Sequence, residues 1–250
     1  MERGLYAAAS GMLAQQQIQE TLAQNIANSN TVGYKHDSPT FRATQAMVLS
    51  RLNNGSGRGT KIGELGTGAA PDQVYTNWSE GPVQQTGNQL DASLGANQFF
   101  AIQTPQGERY TRAGNFHVDA QGNLLNSAGL AVLNTRNQPI KAGAQMGIGL
   151  DSTGNVTANG QILARIKVIQ ADPNNLTKSG DTMFSINNPA LATPAAFPVV
   201  RPGSLEQANV NTVQDLVQLI TVSRGFDIAQ RAVTTQDDML RHAANELGKV

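Results

Sequence analysis

One pattern constrains this chain more than any other: a long helical repeat at its C-terminal end. Leu219, Val222, Phe226, Ala229, Val233, Gln236, Leu240, Ala243 and Leu247 recur at spacings of three and four, with one polar exception. Val213, Leu216 and Ile220 add a second apolar stripe at its start. Thr212 and Asp215 have the spacing of a capping box, in which hydroxyl and carboxylate satisfy exposed backbone donors. The pattern predicts a helix over 212–248, about 55 Å long at ~1.5 Å per residue. A rod of that length cannot fold back on a small domain, so it projects. Its seam must meet another helix of this chain or another copy, and periodicity alone leaves both open.

The N-terminal end repeats the theme. Leu5, Ala8, Met12, Gln15, Gln19, Leu22 and Ile26 keep the same spacing, and Glu20 is the only formal charge between Gly4 and Tyr34. A solvated amphipathic helix carries charges on its outer face. Here Gln and Asn stand in that place, so more than one face is expected to meet protein. Asn28 through Gly33 supply turn residues that end the helix. The whole chain shares this bias, because its 23 Gln and 22 Asn outnumber 36 charged side chains. Charged residues make up 14%, against roughly 25% in ordinary soluble domains. A surface of amides repels its copies weakly, which suits repeated self-association and suits a secreted protein equally.

Between the ends the texture is β. Short runs at Phe99–Gln103, Glu108–Arg112, Phe116–Val118, Leu124–Leu125 and Leu130–Leu133 are separated by Gly-centred turns. Asp119-Ala-Gln-Gly122-Asn123 and Asp151-Ser-Thr-Gly154-Asn155 are matching turns. Ile162, Ala164, Ile166 and Val168 alternate with Leu163, Arg165, Lys167 and Ile169, as in a half-buried strand. Asn53 through Gly59 reads as flexible, and Pro189 through Pro202 as an extended return path. The expected organisation is therefore an N-terminal helix and turn (1–50), a Gly-rich linker (51–74), a β domain (75–205) and a C-terminal helix (206–250). The fold class is α+β: a central all-β domain flanked by two helices that pair as a coiled coil.

Chemical motifs are mostly absent. The net charge is zero, which argues against nucleic acid as a partner. With no Cys, disulfides, thiolate metal sites and thiol nucleophiles are all excluded. The opening Met1-Glu2-Arg3-Gly4-Leu5 is no secretory leader, and no apolar run is long enough for membrane insertion. Phosphate-binding, dinucleotide and nucleophile-elbow patterns are missing. His36, His117 and His242 lie in three different kinds of segment, so no metal site is expected. Asp119 and Asp151 lack the alternating ligands of a calcium loop and read as turn residues. No cofactor follows from any of this.

Two motifs carry more. Asn25-Ile26-Ala27-Asn28-Ser29-Asn30-Thr31-Val32-Gly33-Tyr34-Lys35 resembles the N-terminal signature of bacterial flagellar rod and hook proteins. Leu205-Glu206-Gln207-Ala208-Asn209-Val210-Asn211 resembles that family's C-terminal signature, leading into the final helix. Arg224-Gly225-Phe226, Thr235 with Asp237 and Met239-Leu240, Thr86 through Asp91, and Tyr110 through Phe116 resemble further family positions. The resemblance covers most of the chain, in order. Ala96-Asn97-Gln98 departs from the glycine many members carry before the aromatic pair.

The resemblance implies a structural subunit without enzymatic activity, exported unfolded by the flagellar type III apparatus and assembled helically with itself and with adjacent rod and hook proteins. The short β region and the length look most like a proximal rod subunit, with the distal rod as competitor. On that basis Leu5, Met12, Leu22, Ile26, Leu219, Val222, Phe226, Ala229, Val233, Leu240 and Leu247 are the expected self-assembly positions. The motif residues Asn25, Ala27, Asn28, Thr31, Gly33, Tyr34, Lys35, Leu205, Glu206, Asn209, Val210 and Asn211 are the expected signature positions. Readings from other classes are a short hook-like or other secreted axial protein, a secreted glycan-binding domain using Trp78, and a hydrolase using Asp119 and Asp151.

Overall fold

A computed structural model of the chain describes residues 2–44, 46–51, 60–143, 147–186, 188 and 191–247. These divide into two compact units.

The first unit joins both chain ends to residues 37–75. Helix α1 spans Glu2–Ala27 and α2 spans Thr212–Leu247, close to the predicted limits. Two close approaches show how the helices run. The Gln236 carboxamide lies against Gly4, and eleven residues on in α1 the Gln15 carboxamide lies against Gly225, eleven residues back in α2. The pair is therefore antiparallel. The residues between them form strands β1 (Asp37–Ala43), β2 (Met47–Arg51), β3 (Thr60–Leu65) and β4 (Ala69–Thr76). β1 pairs with β4, and β2 pairs antiparallel with β3, from Met47 opposite Leu65 to Arg51 opposite Thr60.

This corrects the expected linker over 51–74, much of which is strand. Backbone pairing in β2 and β3 proceeds without side-chain burial: Met47, Val48, Leu49, Ile62 and Leu65 are all exposed. A strand that buries neither face shows little of the contrast that marks strands in sequence. The Gly-rich stretch from Asn53 to Gly59 lies outside the described residues.

The second unit comprises residues 27–36 and 76–211. The signature turn thus belongs to the β unit and not to the N-terminal segment, and the unit runs past 205 to Asn211. Its centre is a nine-stranded sheet around Gln98–Thr104, which pairs antiparallel with Gly107–Thr111, Ala131–Val132 and Val168–Gln170. Cores lie on both faces. Phe100 packs with Phe116, Leu124, Val132 and Val156, while Phe99 and Ala101 pack with Phe184 and Ile169. Burial on both faces is why Phe99 through Ile102 read as a continuous apolar run. The edge-to-face pairs Phe100–Phe116 and Phe99–Phe184, with centroids 4.9 and 5.8 Å apart, add packing beyond buried area.

The single strand expected over 162–169 is two. Gln161–Arg165 belongs to a three-stranded sheet, and Val168–Gln170 joins the large one. Ile162 is consequently exposed, and Ile169, expected outside, is fully buried. The return path is likewise stitched into pairs: Thr193–Pro194 with Val168–Gln170, Val200–Pro202 with Ala92–Leu94, and Ser204–Glu206 with Val83–Gln85.

Candidate functional site

The signature turn and the C-terminal signature meet in the second unit around one buried carboxylate. Ser204–Glu206 is a strand buried along its whole length. Its Glu206 Oε1 lies 2.7 Å from Lys35 Nζ and accepts from the Gly81 amide at 3.0 Å. Oε2 accepts from Arg112 Nε at 2.7 Å and sits 2.5 Å from Nη2. The three side chains are 3% exposed or less. Arg112 Nη1 donates to the carbonyls of Gly95 and Gln98, each at 2.9 Å. Lys35 also donates to the Ser79 carbonyl. Glu80 Oε1, 3.7 Å from Arg112, balances the second cation from a more exposed position.

Burial alone would raise the Glu206 pKa, but the facing charges of Arg112 and Lys35 and the Gly81 amide outweigh it, so the carboxyl sits below its ordinary value. Lys35 goes the other way. Burial lowers it, Arg112 adds to that, and the anions Glu206 and Glu80 do not fully compensate. Glu206 is therefore the anchor and Lys35 the weaker member. A depressed carboxyl contributes stability that is complete above its unfolded value, 4.5, and is lost as pH falls through the folded one. The melting temperature of the β unit should therefore owe no pH dependence to Glu206 near neutrality and fall in acid. A Glu206→Gln variant should lose that acid-side slope, which thermal melts from pH 6 down to about pH 3 would read.

The remaining signature residues hold this meeting in place. Asn25, fully buried near the end of α1, donates to the Asp37 carbonyl at 2.8 Å and accepts from its amide at 3.0 Å, as a paired strand residue would. Thr31 bonds back to Asn28 through backbone and hydroxyl. The Gly33 amide donates to the Glu206 carbonyl at 2.8 Å. Tyr34 is buried with Lys178 Nζ 3.9 Å from its ring centroid. Asn209 Oδ1 accepts from the His36 amide at 2.7 Å, and its Nδ2 donates to the carbonyls of Asn77 and Ser79. Leu205 is buried, Val210 is half-buried, and Ala27 and Asn211 are exposed.

Gly33 shows why the motif needs glycine. Its φ is +71°, and an added Cβ would lie 2.4 Å from the Ala113 amide nitrogen and 2.6 Å from the Arg112 carbonyl carbon. Backbone atoms cannot give way as a flexible side chain does. Gly33→Ala should cost about 3 kcal/mol or more in a urea unfolding experiment. Gly33→Asn should do no better, because Asn tolerates the dihedral but meets the same backbone. Recovery with Asn would mean that the dihedral, and not the close approach, fixes the residue.

The helix positions sort by stripe. In α1, Leu22 is buried and Leu5, Met12 and Ile26 are half-buried. In α2, Leu219, Val222, Phe226, Ala229 and Val233 are half-buried, as is Gln236. Leu240 was expected in this seam and is exposed. It lies one turn beyond Gln236, which is opposite Gly4 near the start of α1. The Leu247 side chain lies outside the described residues.

The enzyme and glycan readings lose their residues. Asp119 Oδ1 accepts from the amides of Gln121 and Asn123 and Oδ2 from the Asn123 side chain; Asp151 repeats this with Thr153 and Asn155. Each carboxylate closes its own turn, and these bonds hold both below the ordinary value, against a burial cost at Asp151. Trp78 is packed edge-on against Phe184 and Phe99, with centroids 4.8 and 6.0 Å away, and is no open platform. Among the described residues no group of His, Asp and Glu could hold a metal.

Arg112 is the functional residue that sequence reading passed over as a mere motif member. Its clue was a charge of either sign in each signature, Lys35 and Glu206, within a chain poor in charge.

Comparison with known proteins agrees with this geometry. Residues 5–35 match the model of the flagella basal body rod protein family, residues 95–164 that of the flagellar hook protein FlgE/F/G D1 domain, and residues 201–246 that of the flagellar basal body rod FlgEFG protein C-terminal region. The flagellar basal-body rod protein FlgG of Bacillus subtilis is 32% identical over 98% of this chain and 99% of its own length. FlgF of Rhizobium meliloti is 32% identical over 99% of both chains. FlgF of Caulobacter vibrioides is 28% identical over 252 aligned residues covering all of both.

Proposed function

The chain belongs to the flagellar basal-body rod protein family, of the FlgF/FlgG type, and we propose that it polymerises with its own copies into the helical axial shaft that carries torque from motor to hook. Its place is the flagellar basal body. Its partners are other copies, the adjoining rod and hook proteins, and the type III apparatus that exports it. It works without catalysis, cofactor or nucleic acid. No described helix is long and apolar enough to cross a membrane.

The observation that carries this reading is the apolar surface left open on the paired helices. Tyr6 and Leu13 of α1 and Val213, Leu216, Val217, Ile220, Ile228 and Met239 of α2 are all exposed. Beyond Asp215, none of the described side chains of α2 is buried. Hydrophobic faces of this extent mark interaction surfaces. Stacking copies around an axis would cover them. The proximal position is the reading taken from the chain's length and short β region, and relatives of both names, FlgF and FlgG, are compatible with it.

Deleting the gene should abolish swimming and leave basal bodies without a complete rod, and the tagged chain should purify within the rod of complemented cells. Normal rods in the deletion strain would defeat the proposal. A second outcome concerns the free subunit. Two helices that bury so little apolar area cannot offset the ordering entropy of their residues. Amide exchange on the monomer should therefore show α1 and α2 unprotected and the β unit protected. Strong protection of the helices without any oligomer would contradict this.

A further inference from the structure

The most exposed large hydrophobic side chain described is Phe197, at 87%. It is not on a loose loop. The side chain of Gln98, itself 6% exposed, donates to the Phe197 carbonyl at 3.1 Å and accepts from the Val199 amide at 2.9 Å. The Gly95 amide holds the Val199 carbonyl at 3.0 Å, and the Ala195 amide donates to the Val168 carbonyl at 3.0 Å. The backbone on both sides of the ring is thus pinned to the large sheet while the ring stands in solvent. Leu191 and Val199 are exposed beside it in sequence, and no charged residue occurs between Asp181 and Arg201. A rigid aromatic on an uncharged base has already met the ordering cost that weakens most contacts. Aromatic anchors of this kind dominate interface energetics.

The first unit holds a matching recess. A cavity of about 630 Å³ is formed by α1 with the segments flanking β2 and β3. Tyr6, Ala7, Met47 and Leu65 give it apolar walls, and none of its described lining residues is charged. Its size is that of a pocket for a small organic group, and Met47 offers a sulfur for an aromatic edge. Neither partner carries a charge that burial would strand.

We infer that Phe197 of one copy inserts into this cavity on a second copy of the chain. Knob and recess are different surfaces, so the contact can repeat head to tail, and it builds an open helix when its rotation closes neither a reciprocal dimer nor a ring. The inference rests on the rod reading in needing a polymer, and it names a contact that the rod reading does not.

The absence of Cys from the chain makes the test clean. Full-length Ala196→Cys and Ala7→Cys proteins, each with one thiol beside an intact Phe197 ring or cavity, are mixed, polymerised and oxidised. Disulfide-linked dimers should form in the mixture and be scarce in either variant alone. Phe197→Ser, with its exposed side chain, should keep the wild-type melting temperature and raise the critical concentration for polymerisation roughly thirtyfold. Polymers that form without the cross-link, together with wild-type assembly of Phe197→Ser, would overturn the contact and leave the rod reading standing. A wild-type chain that never polymerises under any condition would overturn both.

Discussion

Replacing Glu206 by Ala is expected to be the most damaging single change in the β unit. It removes the one anion shared by Lys35 and Arg112, both almost wholly buried, and takes an acceptor from the Gly81 amide. Removing one partner of a buried ion pair costs about 3–5 kcal/mol, because the remaining charge has no counterpart. Here Lys35 loses its paired carboxylate and Arg112 keeps only the more exposed Glu80, 3.7 Å away, so a loss within that range is expected. The arrangement also ranks the other members. Arg112→Met leaves Glu206 with Lys35 and Gly81 but empties the fork that also binds the Gly95 and Gln98 carbonyls. Lys35→Met leaves Glu206 with its arginine, and it removes a lysine whose charged form burial already disfavours. Urea unfolding should therefore order the losses Glu206, then Arg112, then Lys35. A Lys35 variant as unstable as the Glu206 variant would mean that the carboxylate is not the hub.

Val233→Asp should abolish polymerisation and swimming while leaving the β unit's unfolding transition where it is. Val233 is half-buried in the stripe of α2 that includes Gln236, which touches Gly4 of α1. A carboxylate there must be desolvated each time the helices pair, against a pairing that is only marginally favourable. That experiment alone mixes pairing within one chain and contact between chains. Leu240→Asp separates them. Leu240 is exposed, so a loss of assembly there without a loss of helix pairing reports a neighbour. Wild-type rod formation by Val233→Asp, measured by sedimentation and electron microscopy, would remove the helix seam from the assembly.

How much of this was legible depended on whether a feature is local. The terminal helices were, because a 3-4 spacing sustained from Leu219 to Gln236 is written in consecutive residues. The turn aspartates Asp119 and Asp151 were legible for the same reason. The β2–β3 pair was not, since its strands bury neither face and their glycine-rich surroundings read as a linker. Ile162 and Ile169 exchanged roles because one apolar run serves two sheets, which no period reveals. The signatures were visible as patterns, but their reason was not, because Lys35 and Glu206 meet across 171 positions and Arg112 and Glu206 across 94.

That long reach sets a clock on the molecule's birth. Synthesis from the N-terminus delivers both cations well before the carboxylate that quiets them. Until residue 206 emerges, the site awaiting Glu206 lacks its anion, and the strand Ser204–Glu206 is missing from its place beside Val83–Gln85. Molecules cut short upstream of that strand can never seal, so they remain open to proteases. Completeness of the polypeptide is thereby checked by the fold itself, with no inspector required.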